Sequence, residues 1–313
     1  MMDIFELLKG KPEDSDYMKK GVIVQGITGT YGSIHARSMI ADGTNVVAGV
    51  SPGKGGQKFE DKVPVYNTMQ EAVDATGAKI SVIFVPAKFF LAAAKDALEA
   101  GIKLLVAIPE HVPIRDTMIT LELAKQKGAI VIGPNTPGIM IPEVIKIGIM
   151  PVTPFKAGKI AVLSKSGTLL YEISDALTTA GFGQSITIGI GGDPVNGTRF
   201  IDAFDMIKDI PDLEGLVVVG EIGGDSEEIL AQRIIDSGFN KPTVAYIAVS
   251  TDAGAFIVIE VLTLSNGIPS SNISMSFNDD ILQPHLPTSP AHLSLSASYP
   301  YRVGMSNAIL RPV

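Results

Sequence analysis

The stretch Gly21-Val22-Ile23-Val24-Gln25-Gly26-Ile27-Thr28-Gly29-Thr30-Tyr31-Gly32 decides the fold. Gly21–Gln25 reads as a short apolar strand, and a helix is predicted through His35, Ala36, Arg37, Ser38, Met39 and Ile40. Between them, glycines let the backbone approach a phosphate, and the helix N-terminus supplies free N–H groups and a partial positive charge. The spacing is G-x-x-G-x-x-G rather than G-x-G-x-x-G, which supports a dinucleotide site only weakly. A tight strand-to-helix turn without a ligand is the plainer reading.

The rhythm continues downstream. Asn45–Val50 reads as a strand, Met69–Thr76 as a helix, Ile80–Val85 as a strand and Phe89–Ala100 as a helix ending at Gly101. Lys103–Ile108 and Ala129–Ile132 are further strands, separated by a helix over Thr117–Lys127. The segment Pro134–Lys156 holds five prolines and little helical periodicity, so the domain boundary is expected there. A second series follows: Lys159–Leu163, Leu169–Ala180, Ser185–Ile190, Phe200–Lys208, Gly215–Gly220, Ser226–Asp236 and Pro242–Ala248. Continuous β-branched runs alternating with amphipathic helices mean parallel sheets covered on both faces. Two doubly wound α/β domains in tandem are predicted.

Composition narrows the class. Of 313 residues, 46% are hydrophobic and 19% charged, which is a folded rather than a disordered balance. The net charge of −8 argues against a nucleic-acid partner or an anionic membrane surface, because no global positive field exists. No uncharged apolar run reaches spanning length, so no membrane helix is expected. The absence of cysteine removes disulfides, thiolate metal sites and cysteine nucleophiles together. The start, Met1-Met2-Asp3-Ile4-Phe5-Glu6, reads neither as a secretory signal nor as a transit peptide. The expected compartment is the cytoplasm, with a mitochondrial-type organelle as the second choice. From Thr263 to Val313 only Asp279, Asp280, Arg302 and Arg311 are charged, and the strand–helix rhythm stops. A flexible tail or a frame-shifted coding sequence both account for that composition.

Four further features bear on chemistry. The second strand ends in Val50-Ser51-Pro52-Gly53-Lys54-Gly55-Gly56, with no Asp or Glu where an NAD ribose would want one. Lys54 suits a terminal ribose phosphate by charge, unless it is simply a solvated loop lysine. Together the two loops point to coenzyme A more than to NAD. Ser164-Lys165-Ser166-Gly167-Thr168 opens a helix in the second series, as an anion site or as a plain serine cap. Gly191-Gly192-Asp193-Pro194 and Gly220-Glu221-Ile222-Gly223-Gly224 follow strands, at the edge where ligands of open sheets collect. Glu221 reads as a hydrogen-bond partner or base, or as a solvated turn acid.

Taken in order, Gln25-Gly26-Ile27-Thr28-Gly29, Pro52-Gly53-Lys54-Gly55-Gly56, Ile132-Gly133-Pro134-Asn135, Ser164-Lys165-Ser166-Gly167-Thr168-Leu169, Gly189-Ile190-Gly191-Gly192-Asp193-Pro194 and Gly220-Glu221-Ile222-Gly223-Gly224 resemble the α subunit of succinyl-CoA synthetase, or succinate–CoA ligase. The likeness spans roughly residues 20 to 255. It implies an N-terminal extension (1–20), a Rossmann-like CoA-binding domain (21–140), a flavodoxin-like ligase domain (150–262) and an atypical tail (263–313). Coenzyme A would be held by Thr28, Gly29, Thr30, Tyr31, Lys54, Ile108, Pro109 and Glu110. Asn135, Ser164, Ser166, Gly167 and Thr168 would face substrate and phosphate, and Tyr171 matches a position associated with substrate. Glu221 would hydrogen-bond the family's catalytic histidine. ATP or GTP and Mg²⁺ would belong to a separate β subunit in an αβ or α2β2 assembly, and no metal is expected in this chain. A carboxylate is a poor acyl donor. The family therefore activates succinate through a phosphorylated histidine before the CoA thiol accepts the acyl group.

The sequence departs from that pattern after Ala248. It reads Val249-Ser250-Thr251-Asp252-Ala253-Gly254-Ala255, and Asp252 stands where the family has its histidine. His35, His111, His285 and His292 all lie outside that motif. Thr136 replaces a common cysteine, a swap conservative in size. Three readings follow: an α subunit of a working ligase, a CoA-binding or β-subunit-binding chain without turnover, or a Rossmann oxidoreductase. The missing acid near Ser51 disfavours the last.

Overall fold

The computed structural model describes residues 4–16, 18–221, 223–251 and 254–260. The tail from 263 and Asp252 lie outside them. Residues 1–266 make one compact unit, and its described part is built on two seven-stranded sheets.

Helix α1 (Ile4–Lys9) precedes the first sheet. That sheet is made by β1 (Val22–Gln25), β2 (Val46–Val50), β3 (Lys58–Phe59), β4 (Val63–Tyr66), β5 (Ile80–Ile83), β6 (Leu104–Ala107) and β7 (Ile130–Ile132). The helices between them are α2 (Thr30–Ala41), α3 (Met69–Thr76), α4 (Ala87–Glu99) and α5 (Ile114–Lys127). The strand order is β3-β4-β2-β1-β5-β6-β7, parallel except for the β3/β4 pair. The chain leaves β1 toward β2 on one side and returns to β5 on the other. The glycine turn after β1 therefore sits at the switch point, where doubly wound sheets open a crevice.

The second sheet contains β8 (Gly138–Ile141), β9 (Ile145–Gly148), β10 (Ala157–Ser164), β11 (Gln184–Gly189), β12 (Gly215–Glu221), β13 (Thr243–Thr251) and β14 (Gly254–Glu260). Helices α6 (Gly167–Thr179), α7 (Phe200–Ile207) and α8 (Ser226–Asp236) connect them. The order is β14-β13-β12-β10-β11-β8-β9, and β10 lies parallel to both β11 and β12. The end of β10, at Ser164, is the second switch point. The edges are antiparallel: β8 and β9 on one side, β14 on the other. Both hairpins were unexpected. The prolines of 134–156 flank β8 and β9 rather than marking a bare linker.

Burial follows from the two-sided cover. Val22 and Val24 face a core that runs into the second sheet through Ile139, Ile147, Leu163 and Ile188. Ile23, on the opposite face, packs with Phe90, Leu98 and Met69 under α3–α5. A buried polar tie joins the two halves. The Lys146 ammonium pairs with Asp42 and donates to Ser38 Oγ at 2.7 Å, while Thr44 Oγ1 bonds both backbone groups of Lys146.

Candidate functional site

The first half of the site grows from the turn after β1. Gly26 takes φ +80° and donates its N–H to Val50 O at 2.8 Å, so the turn is tied to β2. Gly32 packs its α-carbon against that turn: a methyl there would overlap the Gly26 carbonyl and lie 2.7 Å from its carbon. Helix α2 starts behind Gly29, which has no side chain to cap it, and its first turn carries no acid. The leading N–H groups at Thr30 and Tyr31 thus remain for a ligand. Thr28 Oγ1 donates to Ser51 Oγ at 3.0 Å and joins this turn to the loop carrying Lys54. Lys54 is exposed, and its ammonium pairs with no described residue. Tyr31, in the first turn of α2, is 74% exposed. A cradle without a Cβ, an uncapped helix start and a free cation fit a phosphate-bearing ligand such as coenzyme A.

Ile108, Pro109 and Glu110 follow β6 at the same edge, with Ile108 and Pro109 half-buried. The Pro109 carbonyl accepts the Asn135 N–H at 2.9 Å. Asn135 in turn donates from Nδ2 to Asp193 Oδ1 at 2.9 Å, and its carbonyl accepts the Gly192 N–H at 3.2 Å. This chain of bonds brings the first-sheet loop and the Gly191–Pro194 turn of the second sheet together around Asn135. Thr136 is more than a size match for cysteine. Its buried hydroxyl donates to Gly189 O at 2.6 Å and accepts the Gly138 N–H at 2.9 Å.

The second half of the site surrounds the start of α6. Ser164 is fully buried and donates to the Ser166 carbonyl at 2.6 Å, while Ser166 caps α6 by accepting the Leu169 N–H at 3.4 Å. Gly167 and Thr168 form the first turn, again without an acid. Tyr171, one turn on, packs edge-to-face on Phe155 with ring centroids 6.4 Å apart, and burial raises its hydroxyl pKa above the usual 10.0. Glu221 ends β12, the strand paired directly with β10, which leads into α6's loop, and its carboxylate takes no bond from the described residues.

Sequence reasoning missed what holds Glu221. Its backbone N–H donates to Glu227 Oε1 at 3.1 Å, and the same carboxylate pairs with the Lys165 ammonium at 2.9 Å. Lys165 also donates to Ser226 Oγ at 2.6 Å and lies over the Phe200 ring. A side chain at Gly220 would meet Glu227 Oε1 at 2.6 Å, so that glycine makes room for the clamp. Lys165 lies within the quoted motif, but no spacing pointed to a partner 62 residues away.

A family profile described as a CoA binding domain matches residues 18–111, and one described as CoA-ligase matches 163–254. The succinate–CoA ligase [ADP-forming] α subunit of Methanothermobacter thermautotrophicus is 49% identical over 232 residues, covering 73% of this chain and 77% of the relative. The chain belongs to the succinate–CoA ligase α-subunit family. The corresponding subunit of Aquifex aeolicus is also 49% identical, over 72% of this chain and 74% of that subunit. Among solved structures, ATP citrate lyase of Methanosaeta concilii superposes with a TM-score of 0.64 at 24% identity, covering 74% of this chain but only 41% of that one. That likeness speaks to the fold alone. Within the family, the first cradle falls in the CoA-binding match. The Ser164–Thr168 turn and Glu221 fall in the ligase match. Among the described residues, no helix is long and apolar enough to cross a membrane.

Proposed function

We propose that this chain is the CoA-binding α subunit of a nucleotide-dependent succinate–CoA ligase. The observation that carries the reading is the uncapped start of α2 bonded, through Thr28 and Ser51, to the loop of the unpaired Lys54. Thr28, Gly29, Thr30 and Tyr31 hold the pyrophosphate, Lys54 the terminal ribose phosphate, and Ile108, Pro109 and Glu110 flank the ligand toward Asn135. Coenzyme A supplies the thiol that accepts the acyl group. Ser164, Ser166, Gly167 and Thr168 offer a dipole-backed station for an anionic phosphoryl group. Tyr171 and Asn135 border succinate. Glu221 keeps the place from which the family's carboxylate would accept the N–H of the catalytic histidine, a position held in this chain by Asp252. The nucleotide and Mg²⁺ reside in a β subunit, in an αβ or α2β2 enzyme of the cytoplasm, and the domains are 21–140 and 150–262, with the β8–β9 hairpin between them joining the second sheet.

A second reading is favoured by one observation, the aspartate at position 252 where the family has its phosphorylated histidine. In that reading the chain binds CoA and the β subunit but does not turn over. One experiment separates the two. The chain is mixed with a family β subunit, Mg²⁺ and ATP labelled at the γ-phosphate, and CoA binding is titrated in parallel. Acid-labile phosphohistidine on this chain supports the working ligase. CoA binding without label supports the second reading. Failure to bind CoA overturns both.

A further inference from the structure

The loop that carries Lys54 is held from below by a residue with no assigned role. Asn67 Oδ1 accepts the N–H of Gly53 at 2.9 Å and of Gly55 at 3.0 Å, one on each side of Lys54. The ends of the loop are fastened to β4: Ser51 N–H donates to Tyr66 O, and Gly56 N–H to Val65 O, both at 3.0 Å. Gly53 and Gly56 take left-handed φ values of +76° and +84°, which a side chain would resist. At Gly55 a methyl would lie 2.7 Å from Asn67 Cγ, so the loop rests directly on the amide.

Asn67 is itself anchored. Its N–H donates to Glu71 Oε2 at 2.9 Å, and the Glu71 N–H donates to Thr68 Oγ1 at 3.2 Å, so both belong to the N-terminal cap of α3. Asp96 of α4 accepts the Met69 N–H at 2.8 Å and fixes that end of α3. The two loop amides that an anion would otherwise attract are filled by a neutral carbonyl oxygen. What remains to meet an anion is the Lys54 ammonium, an exposed point charge on a loop with a fixed shape.

We propose that Asn67 is a positioning residue that gives this site its preference for a ligand bearing a terminal ribose phosphate, by fixing the loop that presents Lys54. The proposal rests on the reading of Lys54 as the contact for that phosphate. Charge alone, on a loose loop, would attract the phosphate but lose the benefit of a prepaid geometry.

The test titrates the full chain with CoA and with dephospho-CoA, which lacks only that phosphate. The wild-type chain is expected to favour CoA by about tenfold, the scale of one charge-assisted bond. Lys54→Met brings the ratio to about one. Asn67→Ala brings it to within about twofold of one while dephospho-CoA affinity stays within about twofold of wild type. Amide exchange of Gly53 and Gly55 speeds up in Asn67→Ala and stays slow in Asn67→Asp, which keeps the accepting oxygen. A wild-type ratio in Lys54→Met overturns the phosphate reading and the proposal with it. A collapsed ratio in Lys54→Met but a wild-type ratio in Asn67→Ala overturns the role of Asn67 alone. An equal loss for both ligands makes Asn67 merely structural, which also overturns it. Asn67→Ser, whose hydroxyl stops short of the two amides, gives the same readings if the alanine chain does not fold.

Discussion

The two strand-to-helix turns, at Gly26–Gly32 and at Ser164–Thr168, occupy equivalent switch points and solve the same problem differently. The first has a glycine cap, a helix start with no side-chain cap and no acid, and a lysine that pairs with nothing described. The second has a serine cap, and its lysine is spent on Glu227 and Ser226. An open turn suits a ligand that arrives and leaves with its own phosphates. A braced turn suits a station whose neighbours, Glu221 above all, must keep their places. Both offer helix-start N–H groups, so the dipole alone does not distinguish them. The side chains around the dipole do.

The harshest way to break this comparison is to add one methyl to each turn. Gly32→Ala drives a Cβ into the Gly26 carbonyl, where backbone meets backbone and neither yields. The expected cost is about 3 kcal/mol, together with loss of CoA binding. Gly167→Ala meets only Pro137 side-chain atoms at 3.8 Å, and its stability is expected to stay within about 0.5 kcal/mol of wild type. Urea unfolding and calorimetric titration measure both. Equal effects at the two positions would mean that the first turn is not a close-packed cradle.

The lysines sharpen the contrast next. Glu227→Ala leaves the mostly buried Lys165 ammonium without its partner and frees the Glu221 N–H, at an expected cost of about 2 kcal/mol. Lys54→Met removes no described contact, so stability is expected to change by less than about 0.5 kcal/mol while CoA binding weakens. Denaturation curves for the two variants decide it. A Lys54 variant as unstable as the Glu227 one would show that both lysines are braces.

What was legible in the sequence was local. The glycine turns, the helix starts and the parallel strands announce themselves within a dozen residues, whereas the strand orders that make two of those turns switch points do not. The short β3 at Lys58–Phe59, and β8 and β9 among prolines, were too brief or too interrupted to show a period. Strand β14, Gly254–Glu260, follows the last strand read from the sequence, Pro242–Ala248. The contacts that shape the site are not local. Asn135 meets Asp193 across 58 residues and Lys165 meets Glu227 across 62, and no spacing rule reaches that far. Asn67 was the near miss. Met69–Thr76 reads as a helix, but nothing in that reading reaches the loop that rests on Asn67, two residues before it.

A smaller effect tests the cap itself. Ser166→Ala removes the side chain that accepts the Leu169 N–H at 3.4 Å, a long bond, and is expected to cost about 0.5–1 kcal/mol by thermal unfolding. The first turn has no equivalent side chain to lose. A loss above about 2 kcal/mol would place Ser166 among the braces rather than the caps.

The smallest expected difference is in pH. Helix α2 carries His35, which stacks on Phe84 with centroids 5.4 Å apart, whereas α6 has no histidine. Burial, and then the nearby Lys146 charge, hold the His35 pKa below its usual 6.5. The folded ring therefore resists a proton that the unfolded chain accepts. The stability this gives is fully present above pH 6.5 and is lost as pH falls below it toward the folded pKa. His35→Gln is expected to flatten that part of the urea-midpoint profile between about pH 7 and pH 5, where carboxylates contribute less. Tyr171→Phe, the matching change on α6, leaves the same window untouched, because its hydroxyl titrates far above it. If the two variants alter the acid slope alike, then His35 is not the source of the asymmetry, and its burial against Phe84 leaves the acid branch of the stability curve unchanged.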